Sequence, residues 1–210
     1  MLRALARRDR QLFGLELDDG LLRLGREAVA TLPRGLGRSV TLVRGDMQHF
    51  TLDRRFARVI LPYNALYCLL TSRGVEACLR AVHAALEPGG LFGFDVWNAD
   101  PWFQHELSPA NGEDALAAFE HAGRVWRVFE RCRRARGPER LDVTYTYVPD
   151  GRGVARSQVL RQRYYHSRQL LDWLARCGFS VQSRLGGFGG ARFGSRATRL
   201  IVTARAEPRG

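Results

Sequence analysis

The sequence predicts an α/β protein whose parallel sheet carries helices on both faces, with a C-terminal antiparallel hairpin and an inserted antiparallel β-meander. Three observations predict this fold. The first hundred residues alternate between short apolar runs and helical periodicity, which is typical of βα units. Residues 124–165 contain consecutive strand-like runs separated by turn signals, which indicates a meander. Residues 167–206 hold one helical pattern followed by two strand-like runs.

The first half of the chain contains four predicted strands and two predicted helices. Asp18 and Asp19 suit the positive end of a helix that runs from about residue 20 to residue 32, where Pro33 ends it. Apolar residues at helical spacing between Val75 and Leu86 predict the second helix, which the EPGG turn at 87–90 terminates. The predicted strands are residues 11–16, 40–44, 56–61 and 91–96.

The second half reads differently, because its strands follow one another through short turns. Residues 141–147 alternate apolar and polar side chains, as a half-buried strand does, and lie between strand-like runs at 124–132 and 154–165. A helix is predicted from Ser167, as its cap, to Gly178, as its stop. Strands at 179–185 and 198–204 would then be joined by a glycine-rich loop.

The length of 210 residues and the apolar fraction of 45% favour one domain with a substantial core. We expect three regions within it. They are a core of βα units at 1–100, an inserted meander at 101–166, and a closing helix and hairpin at 167–206.

The net charge of +12 comes entirely from arginine, since the 33 basic residues include no lysine. GC-rich codon usage explains such a composition more simply than selection for phosphate contacts. The charge is nevertheless concentrated, with twelve arginines against four acids between Arg124 and Arg168. Such a surface attracts an anionic substrate or nucleic acid, or it is simply the solvated face of a sheet.

Cysteine usage and hydropathy predict a cytoplasmic protein without a membrane partner. The four cysteines show no C-x-x-C spacing, which fits reduced thiols. No apolar run reaches the ~18–20 residues of a membrane span, and the first eleven residues are too basic for a signal peptide. The five histidines form no metal-binding motif, so no metal is expected.

Acidic side chains follow two of the predicted parallel strands. Ligands of open parallel sheets bind beyond the carboxyl ends of the strands, where Glu16 and Asp46 stand. A carboxylate after one strand can bind the two hydroxyls of a ribose, and one in a Gly-Asp turn can accept from an adenine amino group. Taken alone, each acid is as typical of a residue that caps a helix as of a residue that binds a ligand.

Several segments, taken in order, resemble the class I S-adenosylmethionine-dependent methyltransferases, in particular their bacterial small-molecule branch. The resemblance covers most of the chain and implies a Rossmann-like methyltransferase sheet. It also implies that residues 1–100 are an N-terminally shortened cofactor-binding core and that the meander at 101–166 covers the substrate. The segments are FGLELDDGLL (13–22), VRGDMQHF (43–50), RVILPYNALYCLL (58–70), LEPGGLFGFDVWN (86–98), RYYHSRQLLDWLARCGF (163–179) and RLIVTARA (199–206).

The resemblance implies S-adenosyl-L-methionine as cofactor and assigns its site. Glu16 would bind the ribose and Asp46 the adenine amino group. The remaining expected cofactor contacts are Leu17, Met47, Leu61 and Pro62, of which Met47 would lie against the adenine ring and Leu61 and Pro62 beside the methionine moiety.

The acceptor side of the site is expected at the next residues along the chain. Asn64 and Tyr63 are the expected catalytic residues, since an amide just past a strand end can orient an acceptor. The expected substrate-binding residues are Tyr67, Trp97 and Tyr165. His105 and His166 are further candidate bases, although a packing or surface role is more common for each.

The sequence departs from the family at its start. The family places a first strand and a glycine-rich loop before the helix that MLRALARRDRQ matches, and that strand lies in the middle of its sheet. Without it, two neighbouring strands lose a hydrogen-bonding partner. Either the protein begins further upstream than Met1, or this is a short form with weakened cofactor binding.

The expected reaction is methyl transfer to a nitrogen or oxygen of a small molecule, by positioning and in-line displacement. Two alternatives stay open. One is a methyltransferase of RNA or another nucleic acid, suggested by the arginine excess. The other is a non-catalytic protein that retains the fold and pairs with a partner strand. A homodimer is possible, and the acceptor is not identified.

Overall fold

Ten strands form three sheets within residues 2–33, 35–103, 114–121, 123–135, 137 and 139–208, which are the residues that the computed structural model describes. The strands are β1 (Leu12–Glu16), β2 (Val40–Arg44), β3 (Phe56–Leu61), β4 (Leu86–Trp97), β5 (Asp114–His121), β6 (Arg124–Arg134), β7 (Arg140–Pro149), β8 (Arg156–Arg163), β9 (Phe179–Leu185) and β10 (Arg199–Ala206). The helices are α1 (Leu2–Leu5), α2 (Asp19–Ala30), α3 (Ser72–Ala85), α4 (Asp100–Phe103) and α5 (Ser167–Arg176). Short 3₁₀ turns cover Gly37–Ser39 and Ala65–Cys68.

Strands β1 and β2 pair in parallel, in register from Leu12 opposite Val40 to Glu16 opposite Arg44. Helix α2 connects them and begins where the acids predict. Asp18 caps it by accepting the backbone N–H of Leu21 at 2.8 Å, which satisfies one of the unpaired donors of the first turn.

The second sheet has the order β3-β4-β10-β9, with β3 parallel to β4 and the remaining pairs antiparallel. Strand β4 lies at its centre and buries Phe92, Phe94 and Val96. The turn predicted at residues 87–90 is a bulge inside β4, which therefore begins at Leu86. The pairing with β3 shifts there, and Gly89 has a φ of +74°, a conformation that glycine adopts without strain.

Strands β1 and β3 belong to different sheets, so their facing edges form no ladder within the described residues. Side-chain contacts span this gap. The rings of Phe13 and Phe56 meet edge to face at 5.2 Å, and the guanidinium of Arg54 lies 4.7 Å from the ring centre of Phe13. This gap between β1 and β3 lies at the position where the family resemblance predicts a further strand.

Strands β5 to β8 form an antiparallel sheet in sequence order. The sequence predicts β6, β7 and β8 but not β5, because its DALAAFEH stretch is rich in alanine, which favours helices over strands. Leu141 and Val143 of β7 are buried in the same core as β4, so this meander packs on the second sheet.

Helices α3 and α5 complete the core on the second sheet. The helical pattern predicted from Val75 is buried as expected, and α5 adds Leu170 and Leu174. Helix α5 begins at Ser167, but its cap is His166, which forms a reciprocal capping box with Gln169. The prediction that Ser167 is the cap is wrong by one position.

None of the helices in the described part of the chain is long and apolar enough to cross a membrane.

Candidate active site

Glu16 and Asp46 lie at the same edge of the β1–β2 pair, as the sequence predicts. The strands are parallel, and the backbone N–H of Gly45 donates to the carbonyl of Glu16 at 3.0 Å just past their carboxyl ends. Each carboxylate also fixes its own turn. Glu16 Oε1 accepts the N–H of Asp18 at 3.0 Å, and Asp46 Oδ1 accepts the N–H of Gln48 at 2.8 Å. Two acids therefore share one strand edge with defined orientations.

The apolar residues beside these acids differ in their burial. Leu17 leaves 58% of its surface exposed directly after Glu16, and Met47 is partly buried against the core. Leu61 and Pro62, which follow β3, are also partly buried. The exposed face of Leu17 is a surface on which an apolar ring can pack.

The turn after β3 holds two consecutive non-glycine residues with positive φ, Tyr63 at 61° and Asn64 at 59°. Such a backbone is strained, by roughly 1–3 kcal/mol for each residue, and persists only where contacts compensate. Buried Asp95 provides them: its Oδ1 accepts the N–H of Tyr63 at 2.9 Å and its carbonyl that of Asn64 at 3.2 Å. Arg199 pairs with the other carboxylate oxygen at 2.5 Å. The turn is therefore fixed from the neighbouring strand.

The two expected catalytic residues occupy this turn with different surroundings. Tyr63 is 75% exposed, so its side chain is free to contact a ligand at the strand edge. Asn64 is half-buried, and its Oδ1 accepts the backbone N–H of Trp97 at 2.6 Å. Asn64 thus connects the ends of β3 and β4, and any contact that it makes with an acceptor uses the other end of its amide.

Two expected substrate-binding tyrosines lie inside the protein. Tyr67 and Tyr165 are each 1% exposed, and their hydroxyls donate to the carbonyls of Trp97 at 2.7 Å and Leu69 at 2.6 Å. Burial raises the pKa of Tyr67 well above its usual value and the pKa of Tyr165 to about 12, so both remain neutral donors. These contacts favour a structural role for both tyrosines.

The third expected substrate-binding residue, Trp97, belongs to an aromatic cluster beside the strand edge. Tyr164 lies at its centre, with ring centres 5.2 Å from Trp97, 5.4 Å from Trp102 and 4.9 Å from Tyr67. We call these four residues the aromatic cluster. Sequence reasoning missed Tyr164, which follows the end of β8 and is buried beside Tyr67 as Tyr165 is.

The inner face of the meander brings a carboxylate to this cluster. Glu130 stands opposite Tyr145 in the β6–β7 pair, and its Oε1 lies 3.6 Å from the sulfur of Cys132. Burial, with the nearby charge of Glu130, raises the pKa values of Tyr145 and Tyr164. Sequence reasoning counted Glu130 only as a charge. The alternation of Val128, Glu130 and Cys132 is the signal that could have placed it.

Of the two candidate histidines, the structure describes one. His166 is half-exposed at the start of α5; its ring lies 3.9 Å from that of Phe103, and its Nδ1 is 3.4 Å from Asp100. The Asp100 carboxylate also accepts the N–H of Ser167 at 2.9 Å. His105 lies outside the described residues. In the described residues, no three His, Cys, Asp or Glu side chains are grouped to hold a metal ion.

Known proteins with similar sequences are methyltransferases. No protein-family model matches the chain. A dTDP-3-amino-3,4,6-trideoxy-alpha-D-glucopyranose N,N-dimethyltransferase from Streptomyces venezuelae is 27% identical over 175 residues, 83% of this chain and 68% of that protein. The corresponding enzyme for dTDP-3-amino-3,6-dideoxy-alpha-D-glucopyranose from Streptomyces fradiae is 25% identical over 83% of this chain and 63% of its own length. The chain thus spans about two thirds of these relatives.

Solved structures with the same fold include the CcbJ methyltransferase from Streptomyces caelestis. It has a TM-score of 0.75 at 22% identity, over 98% of this chain and 92% of that one. CalS10 from Micromonospora echinaspora, an amino pentose methyltransferase solved with S-adenosylmethionine, has a TM-score of 0.66 at 22% identity, over 97% and 86%. These comparisons show that the chain has the fold of S-adenosylmethionine-dependent methyltransferases and is similar in sequence to bacterial methyltransferases that act on small molecules.

Proposed function

We propose that the chain methylates the amino group of a nucleotide-linked amino sugar. The observation that carries this proposal is that both curated relatives, aligned over 83% of the chain, are N,N-dimethyltransferases of amino sugars by name. The family shares one donor, S-adenosylmethionine. The proposal goes beyond the donor by naming nitrogen, and not oxygen, as the atom that accepts the methyl group.

The adenosine end of the cofactor fits the β1–β2 edge. Glu16 offers a carboxylate for two ribose hydroxyls. Asp46 lies after the neighbouring strand, where its carboxylate accepts the backbone N–H of Gln48 and so fixes the turn. Charge-assisted hydrogen bonds of this kind contribute about 1.5–3 kcal/mol each. Exposed Leu17 would cover one side of the nucleoside.

The acceptor would lie beside the turn after β3. Tyr63 and Asn64 project from a turn that Asp95 holds in a strained backbone conformation, so the backbone of both residues and the bonded amide of Asn64 are positioned before any ligand binds. When bound, the cofactor would supply an activated methyl group for transfer to the acceptor. The contribution of the chain is to position the acceptor and to exclude water.

The aromatic cluster and the meander provide that exclusion. Trp102 is buried, Trp97 and Tyr164 are mostly so, and the cluster lies between the ends of the parallel strands and the inner face of β6 and β7. An apolar wall of this kind strengthens every polar contact made inside it, since it lowers the local dielectric constant.

The experiment is a methylation assay on two matched nucleotide sugars. We expect mass spectrometry to detect addition of methyl groups to a dTDP-3-amino-dideoxyglucose. The matched sugar with a hydroxyl in place of the amine should stay unmodified. Transfer to the hydroxyl sugar alone would contradict the proposal, as would transfer to neither sugar while S-adenosylhomocysteine binds normally.

A further inference from the structure

We infer that Glu130 binds the amino group of the acceptor, with Tyr145 and Tyr164 beside it. The inference rests on the proposed function and adds the residue that would select an amine. It is carried by the position of one carboxylate on the inner face of the meander, opposite core-packed Tyr145 and without a basic partner in the described part of the chain.

The side of the meander that Glu130 faces follows from strand alternation. Val128 and Cys132, two residues before and after it, contact the core, so Glu130 is on the inward face of β6. Its cross-strand neighbour Tyr145 also packs against the core. The adjacent Arg131 belongs to the outer face.

The charge of Glu130 is unusual for its surroundings. Residues 124–168 hold twelve arginines, yet among the residues that the structure describes none is paired with Glu130. Glu139 and Asp150, on the same meander, are both paired with arginines. The polar neighbours of Glu130 are the thiol of Cys132 and the tyrosine hydroxyls, which do not neutralise a carboxylate. A partly buried anion of this kind is stabilised by a cationic ligand.

A continuous series of contacts connects Glu130 to the strand edge. Tyr164, which lies close enough to Glu130 for its pKa to respond, packs on Trp97, and the backbone of Trp97 donates to Asn64. An acceptor amine beside Glu130 would therefore lie on the side of the aromatic cluster that faces the turn at residues 63–64.

The chemistry of this group suits an ammonium ion. The carboxylate can bind the amine as an ammonium ion and then accept one of its protons, which frees the nitrogen lone pair to form the new bond to the methyl carbon; a hydroxyl gains no such ion pair. Glu130 thus explains how an arginine-rich chain could prefer an amino sugar.

The test compares Glu130→Gln with a control that loses the same charge elsewhere on the meander. Glu120 is exposed on β5, on the outer face, so Glu120→Gln is the matched control. For Glu130→Gln we expect a rise in KM for the amino sugar of about tenfold or more. The affinity for S-adenosylhomocysteine should stay unchanged in both variants, and KM should stay unchanged in Glu120→Gln.

The results separate this inference from the proposed function. If the unaltered protein does not methylate the amino sugar, the proposed function is wrong. If it does, and KM is the same in Glu130→Gln, the inference is wrong. Glu130→Asp keeps the charge but shortens the side chain. Its KM should lie between that of the unaltered protein and that of Glu130→Gln. If Glu130→Gln does not fold, Glu130→Asp decides, since an unchanged KM there would also overturn the inference.

Discussion

The carboxylate of Asp95 accepts the backbone N–H of Tyr63 at 2.9 Å, across the ends of two neighbouring parallel strands. This contact joins β4 to the turn that carries the expected catalytic residues. Asp95 is 7% exposed and pairs with Arg199 as well, so one buried side chain supports both the turn and the closing hairpin.

Substitution Asp95→Asn is expected to lower the free energy of unfolding by about 2–4 kcal/mol, because it leaves a half-buried arginine without its partner. Urea unfolding followed by circular dichroism measures this. The control is Asp150→Asn, whose pair with Arg127 is exposed and should contribute less than about 1 kcal/mol. Equal losses in the two variants would contradict the role given to Asp95.

The two acids at the β1–β2 edge are expected to carry the affinity for the nucleoside. Glu16→Ala and Asp46→Ala should each weaken binding of S-adenosylhomocysteine by about tenfold or more, as measured by calorimetry. Glu27→Ala is the control, because Glu27 lies on the exposed face of α2 and pairs only with Arg23 among the described residues. Unchanged affinity in both edge variants would remove the site assignment.

The edge that carries these acids could be predicted from the sequence because it depends on local information. A few sequence positions are enough to predict each strand and the residue that follows it. Parallel pairing of β1 and β2 then places Glu16 and Asp46 at the same edge. The fold was predictable for the same reason. Among the described strands, β5 was missed because its sequence favours a helix; the short helix α4 was missed as well, and the turn expected at residues 87–90 lies inside β4.

The acceptor side was less predictable because it depends on how the meander packs on the sheet. The burial of Tyr67 and Tyr165 is set by contacts between residues about 30 and 96 positions apart in the chain. The position of Glu130 depends on the same packing. Aromatic residues have the same sequence pattern in a core as in a pocket wall, so the pattern did not distinguish them.

Asn64 offers a comparison that separates backbone strain from side-chain bonding. Asn64→Gly and Asn64→Ala both remove the bond to the N–H of Trp97. Both residues must adopt the positive φ of 59°, but only alanine is strained in that conformation. We expect the alanine variant to be less stable than the glycine variant by about 1 kcal/mol. The midpoints of urea unfolding give the difference. Equal midpoints would mean that the turn relaxes when the side chain is lost.

Buried Cys78 predicts how stability changes in alkaline solution. Burial in the α3 face of the core raises the pKa of its thiol from 9.0 to about 12. An acid whose pKa is raised by folding holds its proton more tightly in the folded state. Its stabilising contribution is complete below pH 9 and is lost as pH rises towards 12, by about 1 kcal/mol per pH unit.

Urea unfolding of the protein and of Cys78→Ala at a series of pH values tests this. The alanine variant should be less stable near neutral pH, because it leaves a small void, but it should lose less stability as the solution becomes alkaline. Tyr165, whose pKa is also raised to about 12, contributes to the slope in both proteins and cancels in the comparison. Identical slopes would mean that the Cys78 thiol is reached by solvent, which conflicts with its complete burial against α5 and the second sheet.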